Sequence, residues 1–182
     1  MPLTINQVIN LHPNTKPNQW HQHGNGGGWV FETATVEISA QVSGSAQVSG
    51  NAQVSGNAWV SGNAQVFGDA QVSGNAWVFG NARVSGSAQV SGVAQVSGSA
   101  WVSGSAWETS PLYIQGTHYP LTNSECGYIA VGCQNHTFNW WLENGEELGK
   151  SERFTPAQIV EYRGHIEYMI RVGRPAEPEV TA

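Results

Sequence analysis

Charge is scarce in this chain. Only 11% of its 182 residues are charged, with 7 Lys and Arg against 13 Asp and Glu, and the net charge is -6. Duplex nucleic acid is held by a basic footprint, so that class of partner is excluded. Cysteine is nearly absent: Cys126 and Cys133 are too few for a disulfide scaffold. No run approaches the ~18 apolar residues of a membrane span, and no basic segment followed by an apolar one opens the chain. The expectation is a soluble cytoplasmic protein with no membrane partner and with reduced thiols. Asn135-His136-Thr137 fits the glycosylation acceptor pattern, but without a secretory signal it carries no weight. The small stock of charge is also uneven. Between Ala34 and Ser105 only Glu37, Asp69 and Arg83 are charged, and no histidine occurs there.

What fills that stretch is a repeat. One six-residue phrase, A-x-V-x-G-x, runs from Ala34 to Ala106, with alanine at every sixth position, valine at every sixth from Val36 to Val102, and glycine at every sixth from Gly44 to Gly104. Ile38 breaks the glycine column. A fixed short period is the signature of a solenoid. Ala and Val are two apart, so in extended backbone they share a face, and the residue between them points the other way. The S-G-N and S-G-S triplets after most of the valines are turn formers, with Gly able to take positive φ. Three extended residues and a three-residue corner cannot make a hairpin, so the chain turns the same way each time and closes into a coil.

The phrase V-S-G-N-A-Q resembles the hexapeptide repeat of left-handed parallel β-helices. That resemblance implies three phrases, about eighteen residues, per triangular coil. The valine phrases of residues 34–105 would then make about four coils, held by burial of small Ala and Val at ~25 cal/mol per Å² of apolar area. Outward residues fall into three columns: Gln41, Trp59, Trp77, Gln95; then Gln47, Gln65, Arg83, Trp101; then Gln53, Gln71, Gln89, Trp107. Trp59 and Trp77 are expected one above the other at a strand spacing of roughly 4.8 Å. Phe79 lies on the adjoining corner and Phe67 on another edge. Outward Trp on a wall of Gln and Ser either makes an interface or ladders along the sheet to shield it. A nearly neutral wall is poorly defended against self-association, so a homo-oligomer, with a trimer favoured, is expected through Trp59, Trp77, Phe79 and Trp101.

The flanks are less regular. Residues 1–33 are expected to form an N-terminal cap. Thr4 to Leu11 reads as a short helix or a strand, Pro13 to Gly28 as loop, and Trp29-Val30-Phe31 as the first, capping strand of the repeat. Residues 34–109 form the repeat, 110–173 an α+β C-terminal cap, and 174–182 a disordered tail. In the C-terminal cap, strands are expected at Leu112 to Gly116, His118 to Thr122 and Tyr128 to Val131. Thr137 can cap a helix through about Gly149, weakened by Asn144-Gly145. Thr155-Pro156-Ala157-Gln158 signals a second helix more clearly. Ile159, Tyr162, Ile166, Met169 and Ile170 form its apolar stripe. S-P-L-Y-I-Q-G-T-H-Y-P-L-T at 110–122 and Y-I-A-V-G-C-Q-N-H-T-F-N-W-W at 128–141 resemble the C-terminal module that follows hexapeptide repeats in many phage and prophage proteins. G-G-G-W-V-F-E-T-A at 26–34 resembles their N-terminal cap. The resemblance implies a phage-encoded accessory protein acting inside an infected bacterium, with interference with host defence as its role.

Several constellations carry possible chemistry. Acyltransferases of the hexapeptide type use a histidine base and bind coenzyme A between coils, and zinc carbonic anhydrases of that fold need three coil-edge histidines. Here the histidines, at 12, 21, 23, 118, 136 and 165, all lie outside the repeat. His21-x-His23 is either a weak metal pair or part of a glycine-rich loop, and no metal is expected. Cys133-x-x-His136 is either an activated nucleophile with its base, half a metal site, or a buried cysteine at the end of a core strand beside a turn histidine. A nucleotide or other planar anion would suit aromatic faces and Gly-rich N–H groups. Two places offer these: Trp20, His21, His23 and the Gly26-Gly27-Gly28 run, or Gln115, His118, His136 and Trp140 with Arg153 or Arg163 near. These aromatics also suit a cap core. The reading is a non-enzymatic protein with no cofactor that sequesters a nucleotide-like host molecule or blocks a host protein. An enzyme working through Cys133 and His136, and an assembly part, are the alternatives.

Overall fold

The computed structural model describes residues 2–173, and the expected tail at 174–182 lies outside them. The chain divides into two compact units, Met1–Ser110 and Pro111–Ala182.

The first unit is a parallel β-solenoid of about four turns. Each phrase contributes a strand of two or three residues, and every strand pairs with the one three phrases along. Gln53 and Val54 stand level with Gln71 and Val72, and Trp59 and Val60 with Trp77 and Val78. The backbone bonds therefore run from coil to coil. Gln53 N–H donates to the Ala70 carbonyl at 2.9 Å, and Ser55 N–H to the Val72 carbonyl at 2.9 Å. Val42 to Val102 and Ala40 to Ala100 are all buried and fill the interior. At the corners, side-chain amides ladder as well: Asn63 donates to Asn81 at 3.0 Å and Asn51 to Asp69 at 3.0 Å. Most of the corner glycines lie too close to the next coil for a larger residue. A Cβ on Gly62, where φ is +69°, would stand 3.0 Å from the Gly80 carbonyl oxygen.

Two of the three expected columns are present in register. The third is corrected at its last step. Trp107 does not continue Gln53, Gln71 and Gln89; Ala106 stands level with Gln89, and Trp107 with Val90. Gly104 and Ser105 both take positive φ, at 52° and 57°, which shortens the path by one residue. Because side chains alternate, a slip of one residue exchanges the two faces. Ala106 is turned out and Trp107 takes an inward valine position, 4% exposed.

The N-terminal segment packs on the outside of one wall. Thr4 to Leu11 resolves as a helix, α1 (Ile5–Leu11), with Thr4 and Gln7 forming a capping box. The expected loop holds a strand, Trp20–Gln22, that pairs antiparallel with Trp29–Phe31, which in turn pairs parallel with Gln47–Val48. Val8, Trp20 and Trp29 form a small core with Ile5, Ile9 and Phe31 around it. The cover reaches Gln47, which is only 3% exposed and bonds His12 Nε2 through its Oε1 at 2.5 Å.

The second unit is a four-stranded antiparallel sheet, Tyr113–Gln115, Pro120–Glu125, Tyr128–Val131 and Gln134–Thr137, with two helices. The last strand, polar throughout, was not expected. Helix α2 (Phe138–Ser151) starts at Thr137, whose hydroxyl accepts from Trp140 N–H. Helix α3 (Pro156–Val172) starts at Thr155 with a capping box to Gln158 and Pro156 in its first turn. Leu121, Ile129 and Val131 of the sheet bury against Trp141, Tyr162, Ile166 and Met169 of the helices.

Candidate functional site

In the second unit, α2, α3 and one end of the sheet leave a cavity of about 290 Å³. Its walls are aromatic and aliphatic, including Tyr119, Trp141, Phe154, Tyr162 and Ile166. Trp141 is fixed by its indole N–H, which donates to the Ile129 carbonyl at 2.7 Å. Tyr162 is fixed by its hydroxyl, which accepts from the His118 N–H at 2.9 Å and donates to the Tyr119 carbonyl at 2.7 Å. Thus Tyr162 also pins the turn that presents Tyr119. Glu161, one residue before it, accepts from Thr117 N–H at 2.8 Å and Thr117 Oγ1 at 2.6 Å. Those two bonds, with His165 beside it, hold the Glu161 carboxyl below the usual glutamate range.

The polar part of the cavity lies at its mouth: Glu143, Glu146 and Glu152 on and just after α2, and Arg163 on α3. Glu146 pairs with Lys150 at 3.0 Å, and this neighbour holds its carboxyl low. Arg163 pairs with Glu167 at 3.0 Å. Glu143 and Glu152 make no ion pair among the described residues. The unneutralised charge at the mouth is negative.

Of the sequence candidates, Cys133 and Arg163 line this cavity. Cys133 is not a core residue. It sits in the tight turn after Gly132, whose φ is +58°, and it is exposed, so the buried core cysteine is corrected. The His136 side chain has its own neighbours. That imidazole stacks on Trp140, with ring centroids 3.6 Å apart at 16°, and its Nε2 faces Gln134 Oε1 at 3.3 Å. Among the described residues no group of three His, Cys, Asp or Glu is arranged to hold a metal.

The other C-terminal candidates separate into two groups. His136 and Trp140 form one. His118 belongs to the other, edge-on to Tyr119 at 4.4 Å and to Phe154 at 5.3 Å. Gln115 is exposed and bonds Tyr113 and the Gly116 carbonyl, and Arg153 is an exposed residue just beyond the end of α2.

At the N-terminal end, the Trp20 ring is taken up by the small core, 6% exposed, with its indole N–H on Thr15. His21 is exposed, while His23 Nε2 contacts the Ala40 carbonyl at 3.1 Å. The glycine loop folds down on the solenoid: Gly28 N–H donates to the Val42 carbonyl and Gly27 N–H to the His23 carbonyl. Two of its N–H groups are thus committed to the fold and are not free to cradle an anion.

On the solenoid wall, Trp59 and Trp77 are 37% and 43% exposed and meet edge to face, centroids 5.2 Å apart at 70°. Phe79 beside them is half-buried, as is Trp101, whose indole N–H donates to Ser85 Oγ at 3.0 Å.

The cavity was missed in the sequence because its lining was read piecemeal. Asn144-Gly145 read only as a weak point in a helix, yet the glycines at 145 and 149, one turn apart, mark the face where the cavity opens.

The family model of the YdcK beta solenoid repeat matches residues 46–62, 52–68 and 76–92, all within the solenoid. No curated protein and no solved structure matches the chain. No helix among the described residues is long and apolar enough to cross a membrane.

Proposed function

We propose that this β-solenoid protein is a non-enzymatic binding protein, with the solenoid as scaffold and the ligand held in the C-terminal unit. The observation that carries this reading is the cavity of about 290 Å³ among Trp141, Phe154, Tyr162 and Ile166. Concave, largely apolar sites with a few polar groups are where small ligands bind. The inward positions of the solenoid are filled by Ala and Val, and no histidine stands in the repeat. The stacking of His136 on Trp140 and its contact with Gln134 support a structural role for that imidazole, which disfavours the enzyme reading. The apolar lining and acidic mouth also move the ligand away from a nucleotide and toward a small, mostly apolar molecule.

In finer detail, the chain is read as a left-handed hexapeptide-type β-helix of the phage accessory kind, acting in the cytoplasm of an infected bacterium by sequestration. It assembles as a homotrimer. The exposed Trp59 and Trp77 support self-association along that wall, and they also favour a second reading, in which the wall blocks a host protein.

The test is release. The protein is incubated with a bacterial small-molecule extract, desalted and heat-denatured, and the supernatant is analysed by mass spectrometry. Recovery of an intact molecule is expected. A chemically altered molecule, whose production is lost in Cys133→Ala, would establish the enzyme instead, and an empty supernatant would remove both.

A further inference from the structure

We infer that the C-terminal cavity takes a small aromatic cation, and that Gly145 is the residue that keeps the cavity open for it. The inference rests on the binding-protein reading and adds the class of ligand and the residue that governs access.

The first observation is an interior glycine that folding does not require. A glycine inside a helix is about 1 kcal/mol worse than alanine. At Gly149 crowding explains it, because a Cβ there would stand 3.3 Å from Ile159 Cγ1. At Gly145 it does not. A Cβ at 145 would meet Trp141 Cε3 at 3.4 Å and Ile166 Cδ1 at 4.0 Å, which are ordinary packing distances. Alanine would fit there, strengthen α2 and add contact. The contact it would add is with Trp141 and Ile166, two walls of the cavity. A methyl at 145 therefore exchanges ligand space for packing.

The second observation is the charge and chemistry of the lining. Tyr119, Trp141, Phe154 and Tyr162 present aromatic rings, whose faces attract cations. At the mouth, Arg163 is tied to Glu167, while Glu143 and Glu152 have no cationic partner among the described residues. An anionic ligand would enter against that field and a cationic one along it. At about 290 Å³ the cavity is near the lower end of small-ligand pockets, about 300 Å³, which fits one ring with a short chain.

The experiment uses isothermal titration calorimetry on the full chain with a matched set: 4-phenylbutylamine, 4-phenylbutyrate and neutral 4-phenylbutanol. The amine is expected to bind at least about tenfold more tightly than the carboxylate, a difference of about 1.4 kcal/mol. Glu143→Gln with Glu152→Gln should narrow that ratio, and Gly145→Leu should abolish amine binding. Should Gly145→Leu fail to fold, Gly145→Ala serves: the thermal midpoint should rise while amine affinity falls. Equal affinity for amine, alcohol and carboxylate would overturn the cation assignment while leaving a binding protein. Amine binding unchanged in Gly145→Ala would overturn the role of Gly145. No heat from any of the three would overturn both the cation site and the cavity as ligand site.

Discussion

Trp107 stands level with Val90 in the last rung of the solenoid, one residue short of the spacing that relates every earlier rung. Its indole occupies an inward position that valine holds elsewhere, so an aromatic ring closes the stack of Ala and Val side chains. Truncating a buried Trp removes its transfer energy and leaves a void. Trp107→Ala should therefore cost about 3–5 kcal/mol, whereas exposed Trp59→Ala should cost under about 1 kcal/mol. Thermal and urea unfolding of the two variants checks the contrast.

Glycine to alanine should have opposite signs in the two units. At Gly62, φ of +69° and the Gly80 carbonyl 3.0 Å from a Cβ make alanine unfavourable by about 1–2 kcal/mol from the backbone alone. At Gly145, helical backbone with room for the methyl should give about 0.5–1 kcal/mol of stabilisation. Melting temperatures of the two variants should move apart, down for Gly62→Ala and up for Gly145→Ala.

The solenoid was legible because its period is redundant: each Ala, Val and Gly repeats the same instruction, and the Trp59–Trp77 register follows once the resemblance to hexapeptide repeats sets eighteen residues to a coil. The slip at Trp107 was not, because Ser103-Gly104-Ser105-Ala106 still spells the phrase; only the positive φ of Ser105 departs from it. The Trp20–Gln22 and Gln134–Thr137 strands are short and polar, and they exist because a neighbour offers an edge. Helix starts at Thr137 and Thr155 were legible because capping is local chemistry. The cavity was not. It depends on how α2 and α3 meet, and the candidate residues drawn from sequence, Cys133 and Arg163 excepted, lie outside it.

Acid should loosen the turn beside α3. Glu161 has its folded-state value lowered, chiefly by the bonds from Thr117 and then by His165. A depressed carboxylate contributes stability that is present above the ordinary glutamate range and lost as pH falls through the folded value. Glu161→Gln should flatten that part of the stability profile between about pH 5 and 3, measured by chemical denaturation at each pH.

Assembly should depend on the tryptophan wall. Light scattering is expected to give about three times the chain mass of 19.5 kDa, and Trp59→Ala with Trp77→Ala should lower it. A mass that the double change leaves untouched would remove Trp59 and Trp77 from the interface.

The central claim is that the solenoid is scaffold and the C-terminal cavity is where a ligand is held. Titrating 4-phenylbutylamine into isotope-labelled full-length protein and following the amide nuclear magnetic resonance spectrum tests it directly. The account predicts shifts concentrated at Trp141, Gly145, Gly149, Phe154 and Ile166, which surround the cavity. Shifts concentrated instead at His21 to Gly28, or at Trp59 and Trp77, would contradict it.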